Sequence, residues 1–183
     1  MRTREIMEII YYVHGSTLDN ESKISSGWEQ VSLSLKGVKE TQEASLQIDS
    51  SKFDAIFASD LSRAVESAEI LFAERKHEIK MDSRLRECNY GTYTKKPSNE
   101  LIYSDHINIP FPNGESLHDV EKRMSEFLRE TKALGYKHIT IVAHRAPQLA
   151  LDVITAKTSW EEAIADDWRA TGYWQSGWEY IFI

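Results

Sequence analysis

A single cysteine, Cys88, occurs in the 183 residues, so no disulfide can close within the chain. That is the usage expected of a protein kept in a reducing cytoplasm. Basic residues are also short: 22 Lys and Arg against 29 Asp and Glu leave a net charge of −7. This balance argues against a nucleic-acid binder, which needs cations to displace counterions, yet it leaves room for a local basic pocket and a small anion. No run approaches the ~20 apolar residues of a membrane span. The start, Met1-Arg2-Thr3-Arg4-Glu5, leads into an apolar segment interrupted by Glu8, which is unlike a secretory signal. No internal repeat or low-complexity segment stands out. With 41% hydrophobic and 28% charged residues the composition is that of a globular chain, expected as one cytoplasmic domain over 1–183.

Short β-branched or aromatic runs alternate with amphipathic stretches. Strands are expected at 6–13, 53–58, 77–81, 138–143 and 178–183. Leu61, Ala64, Val65, Ala68, Leu71 and Phe72 recur at helical spacing with Asp60 as a possible N-cap. Leu117, Val120, Met124, Phe127, Leu128 and Leu134 form a second apolar face, and Pro147 suits the first turn of a helix after Ala146. Weaker helical patterns cover 34–48 and the stretch holding Trp160, Ile164 and Trp168. Such alternation predicts an α/β fold, a three-layer α/β/α sandwich around a mostly parallel sheet. Residues 14–33 and 82–115 are loop-rich, and loops of that length are more often functional than decorative.

The residues that follow the strands carry the chemistry. His14 follows Ile9-Ile10-Tyr11-Tyr12-Val13, Ser59 through Arg63 follow the second strand, Glu87 lies beyond the third, and His144 follows Ile139-Thr140-Ile141-Val142-Ala143. In a parallel sheet all four groups reach one edge, where open α/β sheets gather ligands. Two imidazoles, a guanidinium and a carboxyl suit phosphoryl transfer from an ester. One imidazole attacks phosphorus, the arginine forks onto phosphoryl oxygens, and the carboxyl protonates the departing alkoxide. The second imidazole can hold negative charge that builds up in the transition state. His77, His106, His118 and His138 have no motif around them and read as surface or packing residues.

These motifs, taken in order, resemble the histidine phosphatase superfamily, with its phosphoglycerate-mutase-like fold. Val13-His14-Gly15-Ser16-Thr17 with Asn20 is similar to the opening Arg-His-Gly motif. Gly27-Trp28 and Leu33-Ser34-Leu35-Lys36-Gly37 are similar to the family's Gly…Leu-Thr-x-x-Gly segment. Ser59-Asp60-Leu61-Ser62-Arg63-Ala64 with Ser67, Leu85-Arg86-Glu87 with Tyr90-Gly91, Pro112-Asn113-Gly114-Glu115-Ser116, and Ile141-Val142-Ala143-His144 match the remaining motifs in order. The resemblance implies a phosphomonoesterase acting on a small phosphorylated metabolite, with His14 as phospho-accepting nucleophile and Glu87 as proton donor. Arg63, His144 and Asn20 would form the phosphate pocket with Thr17, and no metal or organic cofactor would be needed. The expected partner is a small phosphorylated substrate or inorganic phosphate, with neither nucleic acid nor membrane.

The pattern breaks at Val13, which stands where the family has an arginine. Arg145, directly after the second histidine, is the first candidate for a replacement cation, with Lys23 and Arg86 behind it. The break also admits a phosphate-ester binding or regulatory module with little catalysis. A phosphomutase fits less well, because residues 92–114 are short and hold only Lys95 and Lys96. A metal site built from His14, His144 and Glu87 is a further arrangement of the same groups, although Arg63 would repel a divalent cation. Specificity is expected in the loop 92–112 and in the tryptophan-rich tail. There Trp160 and Trp168 read as core residues, and Trp174-Gln175-Ser176-Gly177-Trp178 could wall the substrate entrance.

Overall fold

Strand β1 (Met7–Val13) alternates large apolar side chains between two faces, and each face finds its own helical layer. Met7, Ile9 and Tyr11 join one core, while Tyr12 and half-buried Ile10 join the other. The computed structural model describes residues 6–171 and 177–183. After β1 come a single turn, α1 (Leu18–Glu21), and α2 (Leu35–Ser45), then β2 (Ala55–Ala58), α3 (Ser62–Leu71) and β3 (Ile79–Met81). A long connection with several 3-10 turns leads to α4 (Leu117–Ala133), β4 (His138–Ala143), α5 (Arg145–Ala156), α6 (Trp160–Ala165), α7 (Trp168–Thr171) and β5 (Trp178–Phe182). The sheet order is β3-β2-β4-β1-β5. The first four strands in that order are parallel, and β5 closes the edge antiparallel to β1.

The larger core packs Ile9, Tyr11, Phe57, Ile139 and Ile141 against the apolar stripes of α4 and α5, including Val120, Met124, Phe127 and Leu151. The smaller core sets Tyr12, Ile56, Ala58 and Val142 against Ala68, Leu71 and Phe72 at the end of α3. The architecture is thus the three-layer α/β/α arrangement, built as strand alternation requires when both faces of a sheet are covered. Among the described residues no helix is long and apolar enough to cross a membrane.

Three local expectations are corrected. Asp60 does not cap α3; the N-cap position is Leu61 without a side-chain bond, because the Asp60 carboxylate is taken by Arg86 in a bidentate pair at 2.7 and 2.6 Å. The helix expected through Trp160 and Trp168 is broken at Asp166–Asp167 into α6 and α7. Trp160 is core at 3% exposure, whereas Trp168 is half-buried and lies on the wall of the cavity described below. The strands at 53–58 and 77–81 are shorter than expected at their N-terminal ends.

The loop that leaves β1 is pressed against the start of α2, and two glycines allow it. A Cβ on Gly37 would stand 1.9 Å from the Ser16 carbonyl oxygen, and one on Gly15 would stand 2.5 Å from the Gly37 oxygen. Both obstacles are backbone and cannot swing aside. Gly37→Ala is therefore expected to destabilise the protein by about 3 kcal/mol, at the upper end of ordinary overpacking. A urea denaturation midpoint close to that of the wild type would contradict this packing.

Candidate active site

Strand register brings the two histidines together. Val13 pairs with Ala143 across β1 and β4, so the next residues, His14 and His144, leave the sheet side by side. The His14 N–H still donates to the Ala143 carbonyl at 3.1 Å. The imidazole centroids are 5.1 Å apart with the rings tilted by 57°. His14 lines a cavity of about 760 Å³ at the C-terminal edge of the parallel strands, together with Arg63, Glu87 and Asn20, whereas His144, expected on the same wall, is fully buried and does not line it.

His14 is held in one tautomer. Its Nδ1 lies 2.7 Å from the Gly15 carbonyl oxygen, which can only accept, so the proton sits on Nδ1 and Nε2 keeps its lone pair. The Nε–H of Arg63 donates to that Nε2 at 3.3 Å. Burial and the adjacent Arg63 charge pull the imidazole down to about pH 3, against a weaker opposing pull from the Gly15 carbonyl. Arg63 is itself 2% exposed on the first turn of α3 and donates from Nη1 to the Glu29 carbonyl (3.0 Å) and from Nη2 to that of Gly27 (2.8 Å). Its ion pair with Glu66, the simple surface alternative, does not form; Glu66 accepts from the Leu33 N–H instead.

His144 is wholly buried, and neither ring nitrogen has a hydrogen-bond partner among the described residues. Burial first, then the charge of Arg63, drives its protonation well below the ordinary range. Unsatisfied buried nitrogens cost about 1–3 kcal/mol unless a ligand or water meets them. Its backbone is fixed by Tyr11, whose hydroxyl donates to the His144 carbonyl (2.6 Å) and accepts from the His144 N–H (2.9 Å).

Glu87 closes the far side. Its carboxylate accepts from the N–H groups of Cys88 (2.9 Å), Ala146 (2.9 Å) and Arg145 (3.2 Å), the last two being the first turn of α5. The loop that carries it is clamped by Arg123 of α4, which donates to the carbonyls of Arg84, Arg86 and Glu87 and pairs with Glu115. Neither Tyr11 nor Arg123 carried a signal in the sequence beyond its polar group in an apolar pattern.

The other expected substrate contacts divide. Asn20 lines the cavity, with its Oδ1 engaged in the capping box of α1. Thr17 is fully buried as the partner in that box and lies off the cavity wall. Lys23 is exposed in the left-handed backbone region (φ 55°), and Arg86 is spent on Asp60 and on the face of Trp28; neither lines the cavity. Arg145 does line it, with its Nε on Asp167 at 2.6 Å and its guanidinium 4.3 Å over the Tyr103 ring. Arg169, unmarked in the sequence, shares that wall. Gly177 and Trp178 also line the cavity, whereas Trp174, Gln175 and Ser176 fall outside the described residues. His77, His106, His118 and His138 lie away from the cavity. Among the described residues no three His, Cys, Asp or Glu side chains are grouped to hold a metal ion.

The neutral histidines couple folding to pH. A histidine whose folded pKa falls below its unfolded value leaves the unfolded chain as the better proton binder between the two. The stability His14 contributes is complete above its ordinary value of 6.5 and is lost as pH falls toward about 3, with His144 acting in the same direction. The urea midpoint should therefore drop between pH 7.5 and pH 5, and drop less in His14→Ala. An equal drop in both proteins would contradict the assignment.

A doubly covered parallel sheet with paired imidazoles at its C-terminal edge defines a phosphoglycerate-mutase-like α/β fold. The sequence pattern of the histidine phosphatase superfamily (branch 1) matches residues 10–154, and the chain belongs to that superfamily. A Hydrogenobacter thermophilus protein with the provisional name phosphoserine phosphatase 2 is 28% identical over 149 residues, covering 75% of this chain and 73% of the relative. A 2,3-bisphosphoglycerate-dependent phosphoglycerate mutase of Parvibaculum lavamentivorans is 28% identical over 170 residues, covering 83% and 81%. Among solved structures, a mutant phosphoserine phosphatase from Entamoeba histolytica in complex with phosphoserine superposes with a TM-score of 0.78 at 21% identity. It covers 97% of this chain and 90% of that one. Phosphatases and phosphoglycerate mutases thus both occur among the proteins this chain resembles.

Proposed function

We propose that the chain hydrolyses the phosphate monoester of a small metabolite through a phosphohistidine on His14. The observation that carries this reading is the tautomer of His14, with Nε2 unprotonated beside Arg63 and its ring 5.1 Å from His144. In the first step the Nε2 lone pair forms a bond to phosphorus, the phosphorus–oxygen ester bond breaks, and the carboxyl of Glu87 gives its proton to the leaving alkoxide. Arg63 and His144 donate to the phosphoryl oxygens as charge shifts. In the second step water attacks phosphorus, Glu87 takes the water proton, and the phosphorus–nitrogen bond breaks to release inorganic phosphate and restore His14. His14, Arg63 and Glu87 line the same cavity, and the buried His144 ring lies against that of His14.

Hydrolysis is favoured over phosphoryl transfer between two hydroxyls of a sugar acid. The two lysines of the 92–114 segment are used elsewhere, Lys95 on Asp19 and Lys96 over the Tyr93 ring, and neither lines the cavity. A binding module with little turnover is supported by one observation, the apolar Val13 on the cavity wall. The test is a panel of phosphate esters with wild-type protein, read as released inorganic phosphate and as an acid-labile phosphoprotein trapped by rapid quenching. A protein that binds phosphate esters but yields neither signal is a binding module, and the hydrolase reading falls.

A further inference from the structure

The charge count in the cavity is incomplete if Arg63 is the sole cation on the phosphoryl group. A phosphate monoester is close to a dianion at neutral pH, both imidazoles are neutral, and Val13 gives the end of β1 an apolar side chain. Two of the Arg63 nitrogens are already tied to backbone carbonyls. Among the described residues the remaining cations on the cavity wall are Arg145 and Arg169.

These two arginines share one carboxylate. Asp167 is fully buried and accepts from Arg145 Nε at 2.6 Å and from Arg169 Nη1 at 2.9 Å, so the trio keeps one positive charge. Burial pushes the Asp167 carboxyl upward, but the two guanidinium groups outweigh it and hold it below its ordinary value. The arginines face different parts of the cavity. Arg145 stacks over Tyr103, and its charge bears on Tyr103 and Tyr90; it is not among the charges that bear on His14 or His144, whereas that of Arg169 is. Arg169 donates from Nη2 to Gln148 Oε1 at 3.2 Å; Gln148 is buried one turn along α5, and its N–H donates to the His144 carbonyl. The Arg169 guanidinium also lies 4.3 Å over the Trp168 ring, which stacks on Trp178 of β5 at 5.2 Å. The arginine is thus braced on the helix that begins at His144 and on the sheet edge beside β1. Its charge is among the causes that keep both His14 and His144 unprotonated.

We propose that Arg169, positioned by Asp167 and Gln148, supplies the second cation for the phosphoryl group and takes the part that Val13 cannot play. This rests on the phosphatase reading above. It assigns Arg145 to the leaving-group side, next to Tyr103. A guanidinium can fork onto two phosphoryl oxygens, which a single ammonium cannot do.

The experiment compares wild type, Arg169→Met, Arg169→Lys and the double variant Val13→Arg/Arg169→Met. Readouts are inorganic phosphate affinity by calorimetry, kcat and KM on a phosphate ester, and the thermal midpoint. Loss of one charge-assisted contact should weaken phosphate binding and lower kcat/KM by about 10- to 100-fold in Arg169→Met. Arg169→Lys should retain part of both. The double variant should recover most of the loss, because the new guanidinium enters the same cavity from β1. Unchanged phosphate affinity in Arg169→Met overturns the inference while leaving the phosphatase reading intact. Equal losses in the single and double variants also overturn it, since they assign Arg169 to supporting α7. A wild type that neither binds phosphate nor hydrolyses an ester overturns the phosphatase reading and this inference together.

Discussion

His14→Ala should abolish both the trapped phosphoprotein and ester hydrolysis, with turnover falling on the order of 10⁵-fold, as when a covalent nucleophile is removed. The reason lies in how little else in the cavity could attack phosphorus. Among the described residues His14 is the one imidazole on the wall; His144 beside it lies off the wall, with its backbone fixed at both N–H and C=O by the Tyr11 hydroxyl. Its ring is wholly buried, whereas His14 is half-buried and presents a defined lone pair. Fold integrity should survive the change: the strand contact here is the His14 N–H to the Ala143 carbonyl, which any residue can make. Inorganic phosphate should still bind to the remaining donors. A variant that retains the acid-labile phosphoprotein would move the nucleophile elsewhere and end the His14 mechanism.

Glu87→Ala should show an effect that depends on the leaving group. For an alkyl phosphate the departing alkoxide is a strong base and needs a proton, so hydrolysis should slow by about 10²- to 10⁴-fold. For p-nitrophenyl phosphate the leaving phenolate is stable without one, and the first step should change little. A purely structural role would lower both rates together. That alternative has a physical basis, because the carboxylate satisfies the N–H groups of Cys88, Arg145 and Ala146. Glu87→Gln keeps a carbonyl acceptor while it removes the proton donor, and should reproduce the split between the two substrates. Equal losses in the rate of phosphoprotein formation from alkyl and nitrophenyl esters in Glu87→Gln would remove Glu87 as the proton donor of the first step.

Structural likeness to a phosphoserine complex at 21% identity carries the fold rather than the alcohol. The cavity wall bears on the alcohol that the proposed phosphatase would release. Tyr90, Leu101, Arg145, Trp168 and Trp178 all line the cavity. A cationic and aromatic wall suits a leaving group with its own negative charge or flat apolar surface.

Much of this molecule was legible from local pattern. Strand–helix alternation predicts a mostly parallel sheet covered on both sides, since apolar spacing of two and of 3.6 residues reports which faces must be buried. The glycine in Leu33-Ser34-Leu35-Lys36-Gly37 is explained by the close approach of Ser16, and Ser34 does cap the helix that follows. His14, Arg63, Glu87 and His144 stand out because each follows a strand whose direction the pattern already implies. Thr17, Lys23 and Arg86 follow from the same motifs as weaker candidates, and none of them lines the cavity. A sequence shows that a polar group is near the site, but not which neighbour satisfies it first. Asp60 illustrates the same limit: the residue type suits a helix cap, yet an arginine 26 positions away claims its carboxylate.

The chain's order of residues alone thus determined the layers, the sheet edge at which the polar groups collect, and the set of side chains proposed to move a phosphoryl group. Tertiary structure decided how those side chains are tuned: the register that sets the imidazoles side by side, the Tyr11 clamp, and the bridge from Arg145 through Asp167 to Arg169. Those contacts join segments far apart in the chain, and their energies depend on distance, burial and competing partners. Periodicity along a polymer carries none of those three quantities.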